Sequence, residues 1–135
     1  MRLVTRGGLA ALTLLSAGLS AGGLAGTAAA QGDGDVVKGL AAFTDRCGSC
    51  HAIDETHQGP KLRGGVGRKA ASIPGFQYSD ALKASGIVWT PEALDKFLAR
   101  PTKAVPGTAM RAVTPDPTER LDLIAYLASN PARRR

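Results

Sequence analysis

Aromatic side chains are scarce in this chain, with one Trp, two Tyr and three Phe among 135 residues. A small domain fills its core largely with such bulky groups, so a chain this poor in them calls for some other core filler. Cysteine is scarce as well: two residues cannot build the dense disulfide framework of a small secreted scaffold. A second long apolar run is missing, which excludes a polytopic membrane protein. The length leaves room for one small domain and excludes a multidomain enzyme. Nor is there a strong charge excess. The formal net charge is +6 from 17 basic and 11 acidic residues, but Arg2 and Arg6 precede the folded part, which leaves 17 − 2 = 15 against 11 from residue 31 onward. A net +4, with Arg133, Arg134 and Arg135 at the very end, falls short of a nucleic-acid-binding tract. What the chain does have is Gly 17 and Pro 8, the composition of a loop-rich fold.

Residues 1–30 read as an export signal. Arg2 and Arg6 precede an uncharged, Leu- and Ala-rich stretch from Gly7 to Gly26, and Ala28-Ala29-Ala30 fits the small-residue cleavage pattern, with Gln31 as the new N-terminus. The competing reading is an uncleaved membrane anchor, since the run is about long enough to span a bilayer. Its glycines make it weakly hydrophobic, which favours cleavage. Either way the domain at 31–135, with its short basic tail at 131–135, is expected outside the cytoplasm.

Helix signals organise the mature chain. Asp35 is placed to cap a helix over Val36–Cys47, in which Val36, Leu40, Phe43 and Cys47 recur at helical spacing. Ser79 to Ser85 suggests a short helix closed by Gly86. Thr90-Pro91-Glu92 is a start signal for a helix carrying Leu94, Phe97 and Leu98 and stopped by Pro101. Asp116-Pro117-Thr118-Glu119 is another, with Glu119 positioned for a capping box, and Asn130-Pro131 ends that helix. Between them, Gln58 to Gly75 is broken by Gly59-Pro60, Gly64-Gly65, Gly67 and Pro74-Gly75 into a long irregular loop. No strand alternation stands out. The expected fold is all-α: three main helices, one short one, and long Gly/Pro loops.

Cys47-Gly48-Ser49-Cys50-His51 carries the chemistry. C-x-x-C-H is the attachment pattern for c-type haem: each thiol forms a thioether with one vinyl group, two intervening residues span both vinyls, and the next residue is the proximal iron ligand. A thioredoxin-like pair would open a helix after a strand, and His51 would have no task there. A Cys47–Cys50 disulfide explains nothing else. A zinc site from Cys47, Cys50, His51 and His57 has suitable atoms, but adjacent ligands at 50 and 51 would splay badly around one tetrahedral ion. Haem accounts for the histidine and supplies the missing core filler. Met110 is the one methionine after the signal segment. It lies in a loop stiffened by Pro101, Pro106 and Pro115, and its thioether is a soft ligand suited to haem iron.

These motifs extend to a wider resemblance. Gly34-Asp35-Val36, the C-x-x-C-H segment, Gly59-Pro60-Lys61-Leu62, Gly67-Arg68-Lys69, Pro74-Gly75-Phe76, Tyr78, Gly86-Ile87, Trp89, Pro106-Gly107-Thr108 with Met110, and Thr118-Glu119-Arg120 leading into Asp122-Leu123-Ile124-Ala125-Tyr126-Leu127 occur in order. Over residues 34–130 the chain resembles the class I monohaem c-type cytochromes, the mitochondrial cytochrome c and bacterial cytochrome c2 type. The resemblance implies the small cytochrome c fold wrapped around one covalently attached haem c. It implies Cys47 and Cys50 as thioether attachment points, His51 as proximal and Met110 as distal iron ligand, and Pro60 as carbonyl acceptor for the proximal imidazole. Arg68, Tyr78 and Trp89 match residues that hydrogen-bond buried propionates, and Thr108 matches a propionate or ligand-loop contact. Gly39, Phe43, Leu123 and Tyr126 match the crossing of the terminal helices. Departures from the pattern are Phe97 for a tyrosine that bonds the methionine sulfur, Leu82 for a polar residue, Ala112 or Val113 for an aromatic that shields the haem edge, and a shorter loop from His51 to Pro60, which leaves the role of His57 open.

With both axial positions filled, the reading is a one-electron carrier in the periplasm, cycling Fe(II)/Fe(III), and not an enzyme. The alternative class is a haem enzyme or gas sensor with a labile distal ligand. The resemblance implies redox-protein partners, with a cytochrome bc1 complex and a terminal oxidase or reaction centre as fitting kinds and a dedicated dehydrogenase fitting equally well. Docking on such membrane complexes is expected to be transient, by a monomer that binds no nucleic acid. Lys61, Arg63, Lys103 and Arg111 are the candidate docking charges.

Overall fold

The computed structural model describes residues 33–133. The segment at 1–30 expected to be an export signal, Gln31 and Gly32, and the last two arginines of the basic tail lie outside the described residues. Helix α1 spans Val36–Arg46, α2 Asp80–Ala84, α3 Pro91–Ala99, α4 Pro101–Ala104 and α5 Pro117–Ala128. Among the described residues, strand pairing amounts to one isolated bridge, Lys69 with Val88.

Each helix begins where a polar side chain can take up its first amides. Asp35 accepts from Val37 N and Lys38 N at 2.8 and 3.1 Å, Ser79 from Leu82 N, Thr90 from Ala93 N and Asp116 from Glu119 N. The capping box expected at α5 forms only on one side. Glu119 turns away from its own helix end and pairs with Arg46 Nε of α1. Pro101 does end α3, as expected. It also opens α4, because its fixed φ and missing N–H suit the first position of a new helix. Arg100, at φ −156°, is the break between the two.

The crossing of α1 and α5 is the framework. A Cβ on Gly39 would run into the carbonyl oxygen of Asp122 and sit 2.7 Å from Cβ of Tyr126, so only glycine lets the backbones come this close. Next to it the Phe43 and Tyr126 rings meet with centroids 5.3 Å apart, and Leu123 is buried beneath them. Burying one such leucine contributes about 2 kcal/mol. Asp122 reaches from α5 to the Asp35 N–H at 2.7 Å, tying the start of α1 to the crossing. Ala42, Cys47, Ile53, Leu62 and Val66 pack around this cluster. The C-x-x-C-H segment therefore leaves α1 directly from the rigid part of the molecule.

Two loop segments complete the frame. Gly67 N donates to Trp89 O at 2.9 Å, Trp89 N to Arg68 O at 2.9 Å and Ala70 N to Ile87 O at 2.7 Å. This short pairing sets Arg68 beside Trp89. On its far side Trp89 packs against Phe97 of α3, ring centroids 4.9 Å apart.

Candidate functional site

Cys47 caps α1 and donates its N–H to Phe43 O at 2.8 Å. The chain then makes one further turn, with Cys50 N and His51 N both donating to Cys47 O at 3.0 and 2.8 Å. That turn holds the two sulfurs three residues apart and places the imidazole next to the second. Both cysteines are free. Burial pushes the Cys47 thiol up from its ordinary pKa, and Cys50 Sγ lies 2.9 Å from Gln58 Oε1.

The imidazole is held from two sides. His51 Nδ1 lies 2.8 Å from the carbonyl oxygen of Pro60. A carbonyl only accepts, so Nδ1 carries the proton and Nε2 keeps its lone pair, which is the ligating form of a neutral imidazole. Gly59 backs the ring: a Cβ there would lie 2.6 Å from Nδ1 and 2.7 Å from Nε2. Gly59 N donates to Cys50 O at 2.8 Å, so its backbone has little freedom to retreat. In the sequence, Gly59 stands out as part of a Gly-Pro breaker and of the Gly59-Pro60-Lys61-Leu62 motif. Its role as a backstop depends on a loop folding back, which no local pattern announces.

Met110 is half-buried on the segment that returns from α4 to α5. Pro106-Gly107, with Gly107 at φ +91°, turns the chain, and Thr108 N closes the turn onto Val105 O at 3.0 Å. Four further residues supply hydrogen-bond donors. Arg68, partly buried, uses two of its N–H groups on the carbonyls of Arg63 and Lys61, at 2.8 and 3.2 Å. A guanidinium has five, so donors remain. Burial pushes its pKa down, which Tyr78 partly counters. Tyr78 Oη accepts from Ile73 N at 3.4 Å and keeps its own proton to give. Among the described residues, Trp89 Nε1–H and the Thr108 hydroxyl also find no acceptor, and neither is an orphaned buried atom. These residues suit a haem with carboxylate substituents: two free thiols, an imidazole in its ligating form and a half-buried thioether, with unused donors to compensate buried carboxylates.

The zinc alternative loses its footing. Among the described residues, no three His, Cys, Asp or Glu side chains come together as a metal cage. His57 is exposed, its Nε2 3.3 Å from Glu55, and its backbone N–H donates to Gly59 O at 3.0 Å.

The family model for cytochrome c matches residues 36–131. The chain belongs to the cytochrome c family. It is 47% identical over 102 residues to cytochrome c2 of Agrobacterium tumefaciens, covering 70% of this chain and 91% of that protein. It is 45% identical over 98 residues to cytochrome c type-1 of Ascaris suum, covering 70% of this chain and 88% of that one. Among solved structures, cytochrome cH from Methylobacterium extorquens superposes with a TM-score of 0.68 at 43% identity, covering 71% of this chain and 99% of that one. This cytochrome is accordingly an electron carrier rather than an enzyme, and its cofactor is one covalently bound haem c.

Of the candidate docking charges, Lys61, Lys103 and Arg111 are exposed and have no carboxylate partner among the described residues. Arg63 differs. Its Nε and one terminal nitrogen grip both oxygens of Asp54, at 2.5 and 2.9 Å, which neutralises it. Lys96 and Arg100, on α3 and at its end, are exposed cations without a carboxylate partner among the described residues.

Proposed function

We propose that this cytochrome is a soluble periplasmic carrier, exported by residues 1–30, with Cys47 and Cys50 as the thioether attachment points. His51 is its proximal and Met110 its distal iron ligand. The contact that carries the reading is His51 Nδ1 to Pro60 O at 2.8 Å, which holds the imidazole after the second cysteine in the tautomer that leaves Nε2 free to ligate. When bound, the haem supplies a one-electron Fe(II)/Fe(III) couple. Everything else is done by the chain. Pro60 and Gly59 fix the plane of the proximal ring. Met110 would hold the iron through its thioether sulfur, a ligand that favours the ferrous form and would keep small molecules out. Arg68, Tyr78, Trp89 and Thr108 would supply N–H and O–H donors to the propionates, so that these carboxylates could be buried without orphaned charge. Phe97 and Leu98 keep water from the interior.

Redox proteins are the partners, a cytochrome bc1 complex and a terminal oxidase or reaction centre being the kinds that suit such a carrier. They meet the face ringed by Lys61, Lys103 and Arg111. Among the described residues no helix is long and apolar enough to cross a membrane. Exported holoprotein tests the proposal directly. Mass spectrometry is expected to show the polypeptide starting at Gln31 with one haem added. The haem is expected to remain with the protein in acidified organic solvent, and the ferrous protein to bind no carbon monoxide at neutral pH. Release of free haem would defeat covalent attachment, and ready carbon monoxide binding would defeat the closed distal site.

A further inference from the structure

The segment that carries Met110 is held only at its ends. Between Thr108, whose N–H is bound to Val105 O, and Thr114, whose N–H is bound to Leu98 O at 2.8 Å, residues 109–113 make no hydrogen bond among the described residues. Arg111, Ala112 and Val113 are exposed, so packing restrains them little. How well Met110 stays in place is therefore decided by the two anchors.

The second anchor is built around one side chain. Arg120, on the first turn and a half of α5, is largely buried, its side chain 11% exposed. Its Nε donates to Asp95 Oδ1 of α3 at 2.6 Å, and one terminal nitrogen donates to both Thr114 O at 2.9 Å and Pro115 O at 2.7 Å. The planar guanidinium thus joins α3, α5 and the return leg of the ligand loop, while Leu98 O of the same α3 holds the Thr114 amide.

We infer that Arg120, oriented by Asp95, is a positioning residue that keeps Met110 at its coordination distance by clamping the carbonyls of Thr114 and Pro115. The inference rests on Met110 being the distal ligand. Chain entropy alone makes only a small contribution. Even with the Leu98 bond to the Thr114 amide lost along with the clamp, the free span lengthens only from the five residues 109–113 to the seven residues 109–115, and a 3/2-power dependence on length makes that less than about twofold in the closing equilibrium. The directional part is larger. Two carbonyls lose charge-assisted bonds, and together with the entropy term this raises the population without bound methionine about tenfold or more. A lysine at 120 keeps the charge but cannot hold one carboxylate and two carbonyls in a plane.

Imidazole binding to the ferric holoprotein reads that population, because an added ligand enters only where Met110 has left, and its apparent affinity scales with the open fraction. Arg120→Lys is expected to tighten imidazole binding about tenfold and to weaken the sulfur-to-iron charge-transfer band, with exchange of the Thr114 amide speeding up while the amides of Gly39 and Leu123 at the helix crossing stay protected. Asp95→Asn, which leaves both carbonyl bonds in place, is expected to shift binding the same way by less. Arg46→Gln is the comparison, since it removes the other arginine bridge onto α5 without touching the ligand loop, and it is expected to leave imidazole affinity unchanged. Equal shifts in Arg46→Gln and Arg120→Lys would reduce the effect to general stability and overturn the inference. So would an Arg120→Lys protein that binds imidazole as the parent does. If the parent itself lacked the sulfur band, the Met110 assignment would be what failed.

Discussion

Gly59→Ala puts the proximal side of the site to a quantitative test. The added Cβ would lie 2.6 Å from His51 Nδ1 and 2.7 Å from Nε2. Cε1 of the ring lies closer still to that Cβ, and an ordinary contact between such atoms is about 3.5 Å, so the ring must retreat by more than about 1 Å or the loop must open. Retreat stretches the 2.8 Å contact to Pro60 O beyond the range of a hydrogen bond. Opening the loop breaks Gly59 N to Cys50 O, also 2.8 Å. Overpacking costs about 1–3 kcal/mol and the lost bond about 1 kcal/mol more, together about 2–4 kcal/mol. For a domain of about a hundred residues that lowers the melting temperature by roughly 10–25 °C. Gly67→Ala is the matched control: its Cβ would enter open space, and only its φ of +81° is unfavourable, at about 1–2 kcal/mol. Thermal unfolding of the two holoproteins, followed by helical circular dichroism alongside the visible spectrum of the iron, separates the cases. If Gly59→Ala melted no lower than Gly67→Ala and kept the parent spectrum, the backstop role of Gly59 would be refuted.

Met110→Ala is expected to leave folded protein with covalent haem but no sulfur-to-iron band, a lower reduction potential and ferrous carbon monoxide binding; an unchanged potential, measured by redox titration, would remove Met110 as the ligand. Cys47→Ala or Cys50→Ala is expected to yield little mature protein, as seen by haem staining of periplasmic extracts, because the apoprotein lacks its core filler. Hydrogen bonding from the Arg63 guanidinium, aided by Arg133, holds the Asp54 carboxyl at about 2. A depressed acid contributes stability above its unfolded value of 3.8 and loses it as pH falls toward 2, so Asp54→Asn should flatten acid unfolding curves in that window. The pair is exposed, and added salt should shrink the difference. Charge reversal at Lys103 or Arg111 is expected to slow electron transfer to an acidic partner at low salt, whereas Arg63→Gln should matter much less, since Asp54 already balances that charge. Stopped-flow rates across ionic strength decide this, and equal slowing by all three would reject the assigned docking face.

Short-range features were legible before any coordinates. A cap residue, a proline at the first helical position and apolar residues at helical spacing act within one or two turns, so all four expected helix starts appear where Asp35, Ser79, Thr90 and Asp116 stand. The C-x-x-C-H segment is equally local, because its spacing is itself the chemical requirement. Pro101 was ambiguous for a physical reason: the same ring that cannot continue α3 is well suited to begin α4.

What remained hidden involves residues far apart in the chain. Glu119 had two possible partners, its own helix end or Arg46, and the crossing of α1 and α5 brings Arg46 within reach. Arg63 looks like any surface cation until the loop places Asp54 against it. Gly59 acquires meaning only when His51 lies against it, and Arg120 only when α3, α5 and the Met110 loop converge on one guanidinium. Composition and spacing thus determined which atoms can bind the cofactor, since that depends on covalent chemistry within a few residues. How firmly those atoms are held was decided by packing and hydrogen bonds across sequence separations that no local pattern encodes.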